Sequence, residues 1–112
     1  MSHLTTHILD TTHGKPAAGV LIVLYQQQDA DWKEIVRGIT NQDGRITDWL
    51  PKDELLPAGQ YKLKFETDAY FKQFMIASFY PYVEVSFYIS DSSHYHVPLL
   101  LNPFGYSTYR GS

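Results

Sequence analysis

The chain has 112 residues, a formal net charge of −3 and no cysteine. A chain of this length is typical of one domain, and the lack of cysteine excludes disulfides, thiolate zinc sites and a cysteine nucleophile. The sequence pI of about 5.9 argues against nucleic-acid binding, which requires a basic surface. We therefore expect residues 1–112 to form a single domain that has no nucleic-acid partner.

The apolar segments of the chain are short. The longest run, residues 20–25, is far below the roughly 20 residues that a membrane-spanning helix needs. The first residues also lack the basic and apolar regions of a signal peptide. We expect a soluble, cytoplasmic protein without a membrane partner.

Short extended segments separated by turn residues predict an all-β sandwich of two sheets, with seven or eight strands. The predicted strands are 4–11, 19–26, 32–40, 45–50, 61–66, 82–90, 94–101 and 106–110. Residues 14–16 are predicted to break the chain after the first strand, and residues 27–31 to form a hairpin loop. One short helix is predicted over 69–75, with Thr67 or Asp68 as its N-cap.

The second half of the chain is rich in aromatic residues and poor in charge. Residues 69–112 contain twelve aromatic side chains but only four charged ones. This number exceeds what one inner face of a small sandwich needs, and tyrosine is common at protein interfaces. The excess predicts a homo-oligomer.

Three histidines occupy positions suited to acid–base chemistry near neutral pH. His7 lies in the first predicted strand, on the same face as Thr5 and Leu9, and His94 and His96 share a face of another strand. The three rings are compatible with a general base, with an open zinc site or with a purely structural role. The position of His7 relative to the other two is not fixed by spacing, so these alternatives stay open.

Other candidate residues are uninformative when taken singly. His3 and His13 are expected to be solvated surface residues. Arg45 follows the Asp43–Gly44 turn, where an arginine is ordinarily a solvated strand start. The 109–112 segment is weak evidence alone because chain ends usually fray, although the aromatic residues of the tail suggest an end that is tied into the structure. The chain has no nucleophile elbow, P-loop or dinucleotide-binding loop.

Taken together, three motifs resemble those of the 5-hydroxyisourate hydrolases, which are transthyretin-related proteins. The motifs are Leu-Thr-Thr-His-Ile-Leu-Asp-Thr at 4–11 with Gly-Lys-Pro-Ala-Ala at 14–18, Asp-Gly-Arg at 43–45, and Tyr-His-Val-Pro-Leu-Leu-Leu at 95–101 with Gly-Tyr-Ser-Thr-Tyr-Arg-Gly-Ser at 105–112. They occur in the family's order over essentially the whole chain. The Tyr-Arg-Gly-Ser ending separates the hydrolases from the hormone-carrier transthyretins.

The resemblance implies a transthyretin-like two-sheet β-sandwich and a cofactor-independent cyclic amidohydrolase of urate and purine degradation. The implied reaction opens 5-hydroxyisourate to 2-oxo-4-hydroxy-4-carboxy-5-ureidoimidazoline. The implied assembly is a homotetramer, a dimer of dimers with its active sites at the dimer–dimer interface. The alternative is a transthyretin-like carrier of small aromatic ligands that performs no catalysis.

The resemblance also implies the site residues, and none of them is a metal ligand. The implied catalytic residues are His7, Arg45, His96 and Ser112, and the implied substrate-binding residues are His7, Arg45, Tyr109 and Arg110. Either His7 or His96 is the base, Arg45 stabilises the oxyanion, Tyr109 covers the substrate ring and Ser112 orients a histidine. His94 is not an implied position and is interpreted as structural.

Overall fold

A computed structural model describes residues 2–47 and 49–112, which form two four-stranded sheets and one short helix. The elements are β1 (Leu4–Asp10), β2 (Lys15–Pro16), β3 (Leu21–Gln28), β4 (Asp31–Ile39), β5 (Gly59–Phe65), α1 (Thr67–Lys72), β6 (Val83–Ile89), β7 (Tyr95–Asn102) and β8 (Gly105–Thr108). The first sheet has the order β2-β1-β7-β8 and the second the order β4-β3-β5-β6. The predicted all-β sandwich with one short helix is confirmed.

The core lies between the two sheets and follows the two-residue period of the strands. On β5, Tyr61, Leu63 and Phe65 are fully buried while the residues between them are not, as the alternating sequence predicts. On β1, Leu4 and Ile8 are fully buried against them. Because alternate residues point outward, the same alternation decides which polar side chains reach the surface of the sandwich.

The first and seventh strands are paired in parallel, with Thr5 opposite His96 and His7 opposite Pro98. Every other strand pair described is antiparallel. The half-buried residues of β1 include Thr5 and His7, and the buried residues of β7 begin at Tyr95, on the opposite face from His96. The pairing therefore places Thr5, His7 and His96 together on the outer face of the first sheet.

The predicted strand over residues 45–50 is wrong. Among its described residues only Arg45 makes a β contact, a single bridge to His7. The following segment turns inward instead, where Trp49 and Leu50 are both 8% exposed and the Trp49 indole donates to the carbonyl of Leu4 (3.3 Å). The segment therefore leaves the edge of β1 after this single bridge, because its apolar side chains turn into the core.

Three other boundaries also differ from the sequence prediction. Residues 15–16, predicted as part of a break, form β2, and the predicted loop at 27–31 shrinks to a turn at Asp29 and Ala30 because β3 and β4 extend to meet it. Helix α1 starts earlier than predicted, with Glu66 at the N-cap position and no side-chain cap. Thr67 is instead buried inside the first turn, which removes it as a cap. No helix of residues 2–47 and 49–112 is long and apolar enough to cross a membrane.

Two histidines expected on the solvated surface are held by specific partners. His3 is only 5% exposed; its Nδ1 accepts from the Leu56 amide and its Nε2 donates to the Asp91 carbonyl, both at 3.0 Å. Nδ1 of His13 lies 2.6 Å from the buried Asp10 carboxylate. The expectation is therefore wrong for His3, while His13 is exposed but paired.

Candidate active site

An open cleft of about 420 Å³ lies on the outer face of the first sheet. Its lining includes Thr5 of β1, Arg45 from the loop after β4, His94 and His96 at the start of β7, and Ser112 from the tail. Four separate parts of the chain thus supply polar side chains to one surface. This arrangement depends on the parallel β1–β7 pair, which joins residues about ninety positions apart.

The turn at 41–44 sets the position of Arg45. The Asn41 side chain accepts from the amides of Asp43 (2.9 Å) and Arg45 (3.1 Å), which closes the turn. Gly44 has a φ of +72°, and its carbonyl accepts from the Ile8 amide at 2.9 Å. A Cβ at this position would lie 2.5 Å from the Ile8 carbonyl oxygen, so only glycine fits. The turn is therefore docked on β1, with Arg45 bridged to His7.

His7 is a half-buried residue whose surroundings favour the neutral ring. Burial lowers the pKa of His7 below its ordinary value of 6.5, and the positive charge of Arg45 lowers the pKa further. A hydrogen bond to the Asp43 carbonyl and the Asp43 charge act in the opposite direction without reversing the shift. At pH 7 the ring is therefore neutral and able to accept a proton.

His96 is held from two sides. Its Nδ1 lies 2.8 Å from the hydroxyl of Thr5, and its backbone carbonyl accepts from the Gly111 amide at 2.8 Å. Burial lowers the pKa of His96, and the charge of Arg45 and the neighbouring rings of His94 and His7 lower the pKa further. A second neutral base thus lies beside the same guanidinium.

The tail reaches the cleft through a close approach of Gly111 to the His96 ring. A Cβ on Gly111 would lie 2.5 Å from Cδ2 of His96, closer than real Cβ atoms come to any other atom. The missing side chain therefore allows the bridge between Gly111 and His96 to form while the imidazole lies against the tail. Ser112 follows directly and lines the cleft.

Tyr109 and Arg110 lie on the other side of the tail. Both line a second cleft of about 270 Å³ with Tyr95 and residues of β6. The Arg110 guanidinium lies 4.3 Å from the centre of the Tyr95 ring and donates to the Ser93 hydroxyl (3.2 Å). Within this single chain, these two predicted substrate-binding residues are separate from the cleft that contains Arg45 and His96.

The structure thus brings Arg45, His96 and Ser112 together around one cleft, with His7 bridged to Arg45 beside it. Five polar residues of this cleft were not among the predicted site residues, namely Ser2, Thr5, Thr6, Thr47 and His94. The signal for Thr5 was present in the sequence, because it lies two residues before His7 on the same strand face. Its contact with His96 was not predictable, since it depends on the register between two distant strands.

The zinc site considered from the sequence does not form in the described part of the chain. No three histidine, cysteine, aspartate or glutamate side chains of residues 2–47 and 49–112 lie close enough together to hold a metal ion. The His94 and His96 ring centroids are 6.3 Å apart, and the space between them is occupied by contacts to the Thr5 hydroxyl. The described polar groups of the cleft are therefore histidine, arginine and hydroxyl side chains.

Comparison with known proteins identifies the family. A family model described as HIUase/Transthyretin matches residues 4–111. A probable 5-hydroxyisourate hydrolase of Caenorhabditis elegans is 50% identical over 110 residues, which cover 97% of this chain and 81% of that protein. Among solved structures, the 5-hydroxyisourate hydrolase of Klebsiella pneumoniae has a TM-score of 0.85 at 39% identity, covering 97% of this chain and 98% of that chain. Transthyretin from Sparus aurata has a TM-score of 0.92 at 32% identity, covering 99% and 97%. The chain therefore belongs to the HIUase/Transthyretin family.

Proposed function

We propose that this protein hydrolyses 5-hydroxyisourate and opens its six-membered ring to 2-oxo-4-hydroxy-4-carboxy-5-ureidoimidazoline in urate degradation. The observation that supports this most strongly is the placement of Arg45 beside two histidines whose pKa values it lowers. Hydrolysis of a cyclic amide needs a neutral base and a fixed positive charge in the same place. The names of the relatives point to the same substrate.

The reaction proceeds by attack of water on a ring carbonyl. The neutral ring of His96 or His7 takes a proton from the water, and the carbonyl oxygen gains negative charge in the tetrahedral intermediate. Arg45 is charged at every relevant pH and donates hydrogen bonds to that oxygen. Collapse of the intermediate breaks the ring C–N bond, and the protonated histidine returns its proton to the leaving nitrogen. Every group in this cycle is a side chain, and cofactor independence stays a prediction.

Ser112, Tyr109 and Arg110 are proposed to act from the tail. Ser112 lines the cleft and is placed to orient a histidine or the substrate edge. Tyr109 is 58% exposed and faces a different cleft, so its proposed contact with substrate requires a site completed by another subunit. The roles of Tyr109 and Arg110 are therefore tied to the assembly.

A homotetramer, a dimer of dimers, is the proposed assembly. The cleft lies on the outer face of a sheet and is open, whereas hydrolytic sites exclude bulk water from the reacting atoms. A partner subunit placed over this face would close it. Exposed aromatic side chains such as Tyr88 (75%) and Tyr109 (58%) supply the apolar surface that association buries. A cytoplasmic location stays a prediction from the sequence.

The alternative is a carrier of small aromatic ligands. The overall fold does not separate the two functions, because the fold is shared with a hydrolase and with a transthyretin. The chemistry of the cleft favours the enzyme. A carrier has no need for two histidines whose pKa values are lowered beside an arginine.

The test generates 5-hydroxyisourate in place with urate oxidase and follows its ultraviolet absorbance. We expect the decay to be much faster with the protein than without it. The His96→Gln variant is the matched control, because it keeps a polar side chain and loses the base; its rate should fall by at least about 100-fold. A wild-type rate equal to the spontaneous decay contradicts the proposal.

A further inference from the structure

One hydroxyl group connects two of the histidines in the cleft. Oγ1 of Thr5 lies 2.8 Å from Nδ1 of His96 and 3.0 Å from Nε2 of His94. Both distances are those of hydrogen bonds, and the two rings are nearly parallel, at 24°. Within the 4–11 motif, His7 was the only predicted site residue. Neither Thr5 nor His94 has a part in the reaction cycle described above.

The hydroxyl carries a single proton, so the two bonds have opposite directions. Thr5 donates to one ring nitrogen and accepts from a ring N–H on the other side. Two arrangements satisfy this requirement. In the first, His96 donates through Nδ1–H and the Thr5 hydroxyl donates to Nε2 of His94; in the second, both bonds run the opposite way.

The rest of the His96 ring leaves one nitrogen available. The Cδ2 edge of the ring lies against Gly111. Nε2 of His96 forms no hydrogen bond with the described residues. Since every fully buried side-chain nitrogen or oxygen of those residues has a hydrogen-bond partner, Nε2 is not fully buried. Nε2 therefore faces the cleft that His96 lines. In the first arrangement the proton is on Nδ1, so Nε2 carries the lone pair and can take a proton from a group in the cleft.

We propose that Thr5 is a positioning residue that holds His96 as the Nδ1–H tautomer, so that Nε2 is the general base, and that His94 completes the chain as the acceptor for the Thr5 hydroxyl. The catalytic consequence rests on the proposed hydrolase function. When water gives its proton to Nε2, His96 becomes an imidazolium, and its Nδ1–H donates a charge-assisted bond to Thr5. The bond from Thr5 to His94 polarises the hydroxyl and strengthens the first bond.

This assignment selects between the two candidate bases left open by the sequence. It names His96 as the base, and it leaves His7 to bind substrate beside Arg45. It also gives His94 a part in the site, whereas the sequence interpretation treated His94 as structural. His94 acts through Thr5 rather than on the substrate, so we expect its loss to lower the rate less than the loss of His96.

The first test reads the tautomer directly. Long-range ¹H–¹⁵N spectra of the histidine rings, recorded on the intact protein above the pKa of His96, distinguish Nδ1–H from Nε2–H. We expect His96 to be the Nδ1–H form in the wild type and in Thr5→Ser, and to lose that preference in Thr5→Val. A wild-type His96 in the Nε2–H form overturns the proposal, whatever the enzyme's activity.

The second test is kinetic. Thr5→Val should lower kcat by at least about 10-fold with little change in KM. This loss is a part of the 10²–10⁴-fold rate enhancement that a positioned base contributes. Thr5→Ser should restore most of that loss. The matched control is Thr11→Val, which removes a threonine hydroxyl bonded across the same strand pair, to the Leu101 carbonyl (3.1 Å), away from the cleft. Equal kcat in Thr5→Val and Thr11→Val contradicts the role of Thr5.

The two tests separate this inference from the proposed function. A wild-type protein that shows the Nδ1–H tautomer but no hydrolysis contradicts the function alone. A fully active protein whose His96 is the Nε2–H form contradicts the role of Thr5 alone. If Thr5→Val fails to fold, two other measurements decide the question. One is the wild-type spectrum. The other is the kcat of His94→Phe, which lacks the acceptor for the Thr5 hydroxyl and should be about 10-fold below that of the wild type.

Discussion

Arg45 affects the site through its charge as well as through its hydrogen-bond donors. Burial lowers the pKa values of both His7 and His96, and the charge of Arg45 lowers them further, so both rings stay neutral into mildly acidic solution. Since the base must be neutral to accept a proton, the acid side of the pH–rate profile should fall at a pH below 6.5. The residue proposed to stabilise the oxyanion thus also extends the pH range over which the proposed base is neutral.

Arg45→Gln should lower kcat/KM by at least about 100-fold, the usual effect of removing an oxyanion donor. As the pH is lowered, the remaining kcat/KM of this variant should begin to fall at a higher pH than that of the wild type, because the histidine pKa values return toward their ordinary value. Arg45→Lys keeps the charge and should keep the position of this fall. The measurement is kcat/KM against pH for the three proteins. A fall at the wild-type pH in Arg45→Gln contradicts the electrostatic role.

Gly111 should tolerate no side chain. Gly111→Ala places a Cβ where Cδ2 of His96 now lies, and the ring is held by Thr5 on its other side, so the ring or the tail must move. We expect kcat/KM to fall by at least about 10-fold while the thermal midpoint stays nearly unchanged. Gly105→Ala is the control in the same C-terminal region, since its Cβ would meet only the Asn102 amide at an ordinary 3.8 Å. Equal activity in the two variants contradicts this role of Gly111.

At the scale of elements, the 41–44 turn is docked on β1 through the backbone at Gly44. Gly44→Ala and Gly14→Ala both place alanine at a positive φ, but only the Gly44 Cβ meets a backbone atom. The first variant should therefore lose roughly 1–3 kcal/mol more of the free energy of unfolding, the range for overpacking. Urea denaturation of the two variants measures this difference. Equal losses would show that the contact between the turn and β1 is loose.

How far the sequence predicts these elements depends on whether their partners are local. The β5 strand was predicted because alternation within a few residues decides its burial, and β5 buries Tyr61, Leu63 and Phe65 as expected. Residues 45–50 have a strand-like composition, but Trp49 and Leu50 turn into the core after the single bridge of Arg45 to β1. Their burial depends on contacts with distant residues such as Leu4, which leave no local signal.

The candidate site shows the same limit. The histidines were identified from their chemistry, and the resemblance implied Arg45 and the tail. The chain from His94 through Thr5 to His96 depends on the parallel register of β1 and β7, which no local pattern encodes. For the same reason, the position of Tyr109 on the far side of the tail was not predicted.

At the scale of the whole molecule, acid should destabilise the fold through the histidines of the cleft. Burial is the main cause that lowers the pKa values of His7, His94 and His96, so below pH 6.5 the unfolded chain binds more protons than the folded one. The free energy of unfolding should therefore fall between about pH 7 and about pH 5. Urea denaturation across this range measures the slope, and His96→Gln should make it shallower. A free energy of unfolding that rises on acidification contradicts these shifts.

The proposed assembly is also testable at this scale. Sedimentation should give four times the chain mass of 12.9 kDa, and specific activity should fall on dilution as the sites open. Replacing Tyr109 with alanine should lower both the association and the activity, because its exposed ring is assigned to a neighbouring subunit. A monomer with undiminished activity contradicts the assembly.

The parallel pairing of β1 with β7 has a consequence for how the enzyme is made. The two strands that form the cleft are far apart in the sequence, so a ribosome must synthesise β7 before the first strand meets its partner. Contacts of such long sequence separation form slowly, because the intervening loop must close first. The cleft therefore forms only after both β1 and β7 have been synthesised, and a fragment that lacks either strand should lack the activity.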